Sequence, residues 1–381
     1  MFCQIILGLT FMFSGFVKGI DPLGTAYKLG DYFHAFHMEF LEPLALTFSV
    51  LLNTSEFVLG ASLVLGLIPG LFAKIAFGYM CIFTPLALAL AVYDPVTDCG
   101  CFGDAIVMTN WQTFIKNIVI LALSVYLVVN RRSLYKIHKL QRTWFIVTAL
   151  IVLFLGFSIY EYRHLPLIDF RPYKVGVNIP EAMETPPGMP VDSFQTILVY
   201  EKEGVLKEFT IDKIPWQDDT WNWVETKSVL VKEGYHPPIH DFAFTNIDGD
   251  DITDSLLSDQ SYSLLAIAYK LDKASRKGLD KLSDIYDYAQ ANNLNFYLAT
   301  ATTAEDIAKY RDSLGYAFPY YFADEIMLKT VARSNPGLVL LKSGTILGKW
   351  HFNDYPSTAE LSEIIAGSRL EQTNKSGRER L

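Results

Sequence analysis

The residues best suited to chemistry lie in one short loop, Asp98-Cys99-Gly100-Cys101-Phe102-Gly103. It holds two of the four cysteines, whereas Cys3 and Cys81 stand singly within apolar runs. Gly100 has no Cβ and can take positive φ, so the chain can bend until the two thiols approach. A disulfide at this spacing would be strained and easily reduced, as exchange disulfides are. The pair is therefore a candidate redox dithiol, a structural turn or half of a metal site.

The neighbours of the two cysteines bear on this choice. Asp98 and Asp104 oppose redox chemistry, because nearby negative charge disfavours the thiolate that attacks a disulfide. A metal site would instead use such carboxylates, or imidazoles, to complete four ligands. The ligands of that alternative site are Cys99, Cys101, His34 and His37. All three interpretations of the cysteine pair, as a redox dithiol, a structural turn or half of a metal site, remain open at this point.

A second candidate site is Glu56, which lies in the middle of an apolar run. An ionisable residue within a membrane is costly and indicates function by default. Lys18, or His34 and His37, could pair with it from the same half of the bilayer. We take Glu56 and Lys18 as a candidate intramembrane pair; the alternative is a contact that only fixes helix packing.

Five apolar runs precede residue 161, and each can supply most of the roughly 20 residues that a membrane-crossing helix needs. They cover about residues 2–17, 43–68, 71–93, 111–129 and 144–160. The first run lacks the basic start and the cleavage site of a signal peptide, so we expect it to be retained. These runs predict a multi-span α-helical bundle in the lipid bilayer, with four spans and a fifth anchor.

The distribution of basic residues predicts the orientation of the bundle. The densest basic cluster near a membrane end lies between runs four and five, and such clusters stay in the cytoplasm. Its members are Arg131, Arg132, Lys136, His138, Lys139 and Arg142. Counting spans then places the N-terminus in the cytoplasm. The Cys-Gly-Cys loop and the chain after residue 160 lie outside, in the periplasm if the membrane is a bacterial inner membrane.

Composition separates the two halves of the 381-residue chain. Residues 1–165 carry ten basic and nine acidic side chains, whereas the remainder carries 22 and 32. An acidic soluble half argues against nucleic acid, since phosphate binding requires clustered basic charge. No cysteine follows Cys101, so the soluble half contains no internal disulfide.

The soluble half predicts an α/β domain after a linker. Residues 166–238 begin with a loop-like stretch that holds six prolines between residues 166 and 190. A hairpin is predicted over 196–200 and 205–211, and a packed tryptophan-rich loop over 216–223. Residues 239–368 predict strands near 241–245, 263–269, 294–300, 338–341 and 346–350. They predict helices over 273–292, 303–314 and 325–332, with a last one from about 357. The charged residues 369–381 predict a disordered tail.

The order of these elements resembles the thioredoxin fold of TlpA-like and AhpC-like proteins. Asn335-Pro336, before the last hairpin, matches the position of the cis-proline of that fold. Where the family carries its redox motif, residues 270–274 read Lys-Leu-Asp-Lys-Ala and contain no thiol. The resemblance therefore implies the fold without redox activity in this domain. It also implies a partner-binding groove beside Asn335 and Pro336.

The membrane half resembles the DoxX-like superfamily and, within it, the methylamine-utilisation MauE family. The resemblance rests on Ser14-Gly15-Phe16-Val17-Lys18, on Glu56 with Leu59-Gly60, and most specifically on the loop 98–103. It implies a role in maturing, or forming disulfides in, a periplasmic partner, with a methylamine-metabolism setting. The four-span layout is also similar to quinone-coupled disulfide oxidases, but this chain lacks their Cys-x-x-Cys motif and outer-loop cysteines.

These residues and resemblances lead to three hypotheses about function. The first is an accessory thiol-disulfide oxidoreductase acting on a periplasmic protein through Cys99 and Cys101. The second is a non-enzymatic scaffold or chaperone whose bundle is only an anchor. The third is a membrane subunit that binds a small molecule or a quinone near Glu56, with quinone the one candidate cofactor. The expected domains are residues 1–130 (membrane bundle), 131–165 (basic loop and fifth helix), 166–238, 239–368 and 369–381.

Overall fold

The structure is a computed structural model of the chain. It describes residues 1–96, 98–136, 140–190, 193–202, 204–214, 220–232, 234–316 and 318–367. The predicted tail, His138 and Lys139 of the basic cluster, and Trp216 of the predicted tryptophan loop lie outside these residues. The described chain forms a helical bundle up to residue 163 and two β-sheets with helices after it.

The bundle is built from six helices. They are α1 (Phe2–Ile20), α2 (Pro22–Ala35), α3 (Ala45–Val64), α4 (Pro69–Tyr93), α5 (Asn110–Val129) and α6 (Leu140–Arg163). In the described part of the chain, five helices are long and apolar enough to cross a membrane, and these are all but α2. The number of predicted spans is confirmed, and the chain is a multi-pass membrane protein.

Helix α2 lies between the first two apolar runs, where no helix was predicted. Asp21 caps it by accepting a hydrogen bond of 2.9 Å from the backbone N–H of Gly24. Pro22 occupies the first turn, where its missing N–H costs nothing. The helix is only weakly apolar, so its sequence does not indicate a membrane span. It covers one end of the bundle beside the Cys-Gly-Cys loop.

Helices α1 and α3 approach closely because glycines lie at their contact. A Cβ on Gly15 would lie 2.4 Å from the backbone nitrogen of Phe57, and one on Gly60 would lie 2.2 Å from that of Met12. Such distances leave no room for a side chain, so only glycine permits this approach. Small residues of this kind are typical of helix contacts in membranes. The contact places Glu56 of α3 against α1.

The two ends of the bundle are distinct. At one end, Gln4 bonds to the backbone of Tyr135, donating to its carbonyl at 3.2 Å and accepting from its N–H at 3.0 Å. The N-terminus and the basic segment 131–136 therefore lie on the same side of the membrane. At the other end lie α2, the Cys-Gly-Cys loop and the remainder of the chain.

The soluble part holds two sheets and several short helices. The strands are β1 (Ser193–Lys202), β2 (Val205–Thr210), β3 (Asn222–Lys232), β4 (Tyr262–Ile267), β5 (Asn295–Thr300), β6 (Tyr320–Phe322), β7 (Gly337–Lys342) and β8 (Thr345–His351). The helices are α7 (Ile179–Met183), α8 (Thr253–Ser258), α9 (Arg276–Ala291), α10 (Ala304–Leu314), α11 (Glu325–Val331) and α12 (358–367).

The larger sheet has the strand order β6-β5-β4-β7-β8, in which β4, β5 and β6 are parallel and β7 and β8 are antiparallel. Strand β4 is buried on both faces. Leu264 and Ala266 join the core on one side, and Leu265 and Ile267 join the core on the other. The peptide bond Asn335-Pro336 before β7 is cis. Strand order, strand directions and helices on both faces make this a thioredoxin-like domain, as predicted.

Three predictions about the soluble half need correction. Residues 241–245 form no strand, and only Thr245 makes isolated bridges, to Asp251 and Phe322. Short strand β6 at the sheet edge was not predicted, because three residues give too little periodicity. Trp223 does not pack in a loop: it lies on β3, which pairs with β1, and is 59% exposed. The predicted hairpin of β1 and β2 is confirmed.

Candidate functional site

The Cys-Gly-Cys loop is a tight turn that brings two free thiols together. The Sγ atoms of Cys99 and Cys101 lie 2.7 Å apart. Gly100 takes a φ of +62°, as expected for the residue that bends the chain between them. Its N–H donates to the Asp98 carboxylate at 2.8 Å, which fixes the start of the turn. The pair therefore has the proximity that dithiol chemistry requires.

Two side chains from the bundle hold the loop by its backbone carbonyls. The hydroxyl of Tyr32, on α2, donates to the carbonyl of Cys99 at 2.5 Å. The hydroxyl of Ser14, on α1, lies 2.7 Å from the carbonyl of Cys101. Neither residue was predicted as part of the site. Ser14 lies one helical turn before Lys18, so the two share a helix face, and that spacing was the available signal.

The candidate pair Lys18 and Glu56 lies directly beneath the loop. The structure brings them together: Lys18 Nζ lies 2.7 Å from Oε1 and 2.6 Å from Oε2 of Glu56, and both residues are buried. His34 and His37, the other predicted partners of Glu56, are not involved in this contact. The pair lies on the α1–α3 contact described above.

Ser14 connects this ion pair to the cysteine loop. Its Oγ lies 2.8 Å from Oε2 of Glu56 as well as 2.7 Å from the carbonyl of Cys101. A serine hydroxyl carries one proton and can donate to only one of these acceptors at a time. The hydroxyl therefore lies between the carboxylate of Glu56 and the backbone of Cys101, within hydrogen-bonding distance of both. The ion pair of α1 and α3 and the position of Cys101 are thus linked through one hydroxyl.

The two thiols are electrostatically different. A hydrogen bond from the Cys99 thiol lowers the pKa of Cys101, burial opposes this, and Lys116 and Lys18 add to the lowering, so that the pKa falls to about 6. The same hydrogen bond, with burial, raises the pKa of Cys99. In the reduced pair Cys101 is therefore the thiolate and Cys99 keeps its proton. A thiolate of this kind is the better leaving group of the two.

The nearby carboxylates do not oppose this thiolate as the sequence suggests. Asp98 pairs with Lys28 at 2.7 Å, and Asp104 lies 3.3 Å from Nη2 of Arg333. Lys116 lies over the ring of Phe102, with Nζ 4.3 Å from its centroid. Basic side chains thus balance the acidic ones around the loop. The sequence gives no sign of this, because these basic partners are distant in the chain.

Arg333 belongs to the thioredoxin-like domain and joins it to the bundle. Its side chain is 6% exposed and donates from Nε to Asp21 at 2.8 Å. The hydroxyl of Tyr27, on α2, donates to that of Tyr269, after β4, at 3.2 Å. The thioredoxin-like domain therefore packs on the end of the bundle that carries the cysteines.

The predicted partner-binding residues Asn335 and Pro336 lie next to this contact but face their own domain. Asn335 donates from Nδ2 to the carbonyl of Lys270 at 2.8 Å and accepts a bond of 2.9 Å from the N–H of Ser275. Pro336 packs against Gly278, where a Cβ would lie 2.7 Å from its Cδ. Segment 270–274, the expected place of a redox motif, precedes α9, and its Lys270 and Lys273 line the space between the two domains.

The alternative metal site gains no support from the geometry. His34 lies 3.5 Å from Glu42 and its side chain is 59% exposed, while His37 follows the end of α2. Within the described ranges, no three His, Cys, Asp or Glu side chains are grouped so that they could hold a metal ion. The thiols of Cys99 and Cys101 contact each other instead.

Comparison with known proteins separates the same two halves. Residues 1–130 match the family model of the methylamine utilisation protein MauE. Residues 194–233, which hold the small sheet, match a domain of unknown function, DUF8463. None of the curated proteins matches the chain.

Among solved structures, the chain is similar to thioredoxin-like proteins. A putative thioredoxin from Neisseria meningitidis is 15% identical, with 33% of this chain and 86% of that chain covered and a TM-score of 0.28. A thiol:disulfide interchange protein from Chlorobium tepidum TLS is 12% identical, with 33% and 91% covered and a TM-score of 0.27. A putative protein disulfide isomerase from Bacteroides thetaiotaomicron is 17% identical, with 37% and 89% covered and a TM-score of 0.26.

The thioredoxin-like fold is assigned from the order of the strands and not from these low scores. Residues 1–130 of this multi-pass membrane protein match the MauE family, and the domain that follows has the thioredoxin-like fold.

Proposed function

We propose that Cys99 and Cys101 exchange disulfides with thiols of a protein partner outside the cytoplasm. The observation that carries this proposal is the 2.7 Å contact of two free thiols within one loop. A lowered thiol pKa stabilises the reduced pair and so favours its action as an oxidant. Because residues 1–130 match the MauE family, the proposal places this exchange in methylamine metabolism.

The exchange runs in two steps. A thiolate of the partner attacks Sγ of Cys99, the Cys99–Cys101 bond breaks, and Cys101 leaves as the thiolate. The second thiolate of the partner then attacks the partner's sulfur in this mixed disulfide and releases Cys99. Two electrons pass from the partner's dithiol to the pair. Of the two protons that the partner loses, Cys99 takes one, and the other goes to solvent because Cys101 stays ionised above its pKa of about 6.

The location of this chemistry follows from charge and from packing. Arg131, Arg132 and Lys136 lie at one end of the bundle, and the positive-inside rule assigns that end to the cytoplasm. The cysteines and the thioredoxin-like domain share the other end, since Arg333 contacts Asp104 directly. We therefore propose a bacterial inner-membrane protein with a cytoplasmic N-terminus and a periplasmic soluble domain.

Trapping the mixed disulfide tests the function. In full-length protein, Cys101→Ser leaves a Cys99 thiol that can attack the disulfide of an oxidised partner, which is the exchange in reverse. Because no Cys101 thiol remains to attack Cys99 and release the partner, the partner should stay covalently bound until reductant is added. Cys81→Ser is the matched control, because Cys81 is an exposed free cysteine on α4. The wild-type pair, equilibrated with glutathione buffers, should titrate above the roughly −300 mV below which structural disulfides lie. A pair that forms no disulfide in any buffer contradicts the proposal.

A further inference from the structure

A cavity of about 1070 Å³ lies between the bundle and the thioredoxin-like domain, and we call it the interdomain cleft. Gly30, Gly100 and Gly103 line it on the bundle side. Tyr269, Lys270 and Lys273 line it on the side of the soluble domain. The cleft is therefore bounded by both halves of the chain.

The cysteine loop opens into this cleft through its backbone. Asp98 and Gly100 are among the lining residues, and the side chain of Lys28 lies against Gly100, where a Cβ would be 3.2 Å from Cγ of Lys28. Gly103 follows two residues after Cys101 and also takes a positive φ, of +52°. The backbone of the loop at Asp98, Gly100 and Gly103 therefore forms part of the wall of the cleft.

The opposite side of the cleft supplies no thiol. It includes Tyr269, Lys270 and Lys273, which lie at the short 3-10 turn before α9, and residues of α11. Arg333 holds this side in place through its contacts with Asp21 and Asp104. The thioredoxin-like domain thus adds a binding surface to a site whose reactive groups all come from the bundle.

The size and charge of the cleft indicate its occupant. Its volume is at the upper end of the range for small-molecule sites, so it accommodates several residues of an extended chain. Its lining carries charges of both signs, including the pairs Lys28–Asp98 and Lys270–Glu325. Such a lining suits a peptide backbone with polar side chains better than a lipid tail or the ring of a quinone.

We propose that the interdomain cleft binds the cysteine-bearing segment of the protein partner in extended form, beside the Cys99–Cys101 loop. This inference rests on the proposed disulfide exchange and adds its substrate class. The soluble domain then serves substrate binding, which gives a role to a thioredoxin-like fold without cysteines. Electrons and protons move as described for the exchange above.

Filling the cleft tests the proposal. Gly30→Trp places a large side chain in the cleft at a helix position where a Cβ meets no atom within 4 Å. Gly156→Trp is the matched control, because Gly156 on α6 is equally open and does not line the cleft. Full-length protein with an oxidised pair is mixed either with a reduced ten-residue peptide that holds two cysteines or with dithiothreitol.

We expect Gly30→Trp to slow oxidation of the peptide by at least about tenfold and to leave the rate with dithiothreitol within about twofold. Gly156→Trp should change neither rate. Lys273→Trp fills the cleft from the other side and should act like Gly30→Trp, with Lys277→Trp, outside the lining, as its control. Equal loss with both substrates, or no loss with the peptide, overturns the cleft proposal. If the wild type oxidises neither substrate, the disulfide exchange itself is wrong.

Discussion

The guanidinium of Arg333 donates a hydrogen bond of 2.8 Å to the carboxylate of Asp21, across the boundary between the thioredoxin-like domain and the membrane bundle. Burial alone would raise the pKa of Asp21, but the guanidiniums of Arg333 and Arg171 outweigh it and leave the pKa lowered. The carboxylate is therefore held charged as long as the two domains are packed together. Together with the contacts of Arg333 with Asp104 and of Tyr27 with Tyr269, it holds the soluble domain over the cysteines.

Replacing Arg333 should release the soluble domain. Arg333→Gln leaves Asp21 without its main partner, and removing one member of a buried ion pair costs about 3–5 kcal/mol. We expect faster hydrogen exchange of the backbone amides in α2 and in residues 325–335. The exposed pair Lys227–Glu208 provides the control, since Lys227→Gln should leave these amides unchanged. Unchanged exchange in Arg333→Gln would show that other contacts hold the domains.

The reactivity of Cys101 should depend on pH in a way that an ordinary thiol does not. Its thiolate fraction rises as the pH passes upward through about 6, mainly because of the hydrogen bond from Cys99. In reduced protein without Cys3 and Cys81, the rate of alkylation by iodoacetamide should rise with a midpoint near that pH. Cys99→Ala removes the largest lowering contribution, so its midpoint should shift upward. The same midpoint in both proteins would contradict this account of the pair.

Lys18 and Glu56 should move the alkylation midpoint of Cys101 in opposite directions. Lys18 lowers the pKa of Cys101 and Glu56 raises it. Lys18→Met is therefore expected to raise the midpoint and Glu56→Gln to lower it. Gln4→Met, a buried polar substitution at the other end of α1, is the control. If the pair only fixes helix packing, neither substitution shifts the midpoint, although both lower the melting temperature.

Ser14 offers a narrower test of the same network. Ser14→Ala removes the hydroxyl between Glu56 and the carbonyl of Cys101, and one net hydrogen bond is worth about 0.5–1.5 kcal/mol. The bond is made in the form with free thiols, so its loss should lower the reduction potential of the pair by up to about 30 mV. Ser49→Ala, which removes another buried serine hydroxyl from α3, should leave the potential unchanged. An equal shift in both variants would make Ser14 a packing residue.

Much of the fold could be predicted because its signals are local. Apolar runs marked the five spans, and Thr303 with Asp306 marked the start of α10. Prediction from the sequence failed where an element is short or where its contact partners are distant in the chain. Strand β6 has three residues, and β3 is an exposed strand in which Trp223 and its neighbours do not alternate between core and solvent.

The candidate site could be predicted only in part for the same reason. Cys99 and Cys101 are two residues apart, so their proximity is a local property of the loop. Lys18 and Glu56 could be paired because unpaired charges in a membrane are costly. The remaining contacts join residues that are far apart in the chain and required the fold. They are those of Tyr32 with Cys99, Lys28 with Asp98, and Arg333 with Asp21 and Asp104.

The orientation of the bundle gives the last prediction. Arg131, Arg132 and Lys136 lie at the end of the bundle where Gln4 contacts Tyr135, opposite the cysteines. Basic residues near membrane ends favour the cytoplasm, so a reporter that is active only in the periplasm should be active when fused after residue 260 and silent at residue 135. A cytoplasmic reporter at the same two positions is the control and should give the reverse pattern. Activity of the periplasmic reporter at residue 135 would place the thiols in the reducing cytoplasm, where a disulfide between Cys99 and Cys101 would not persist.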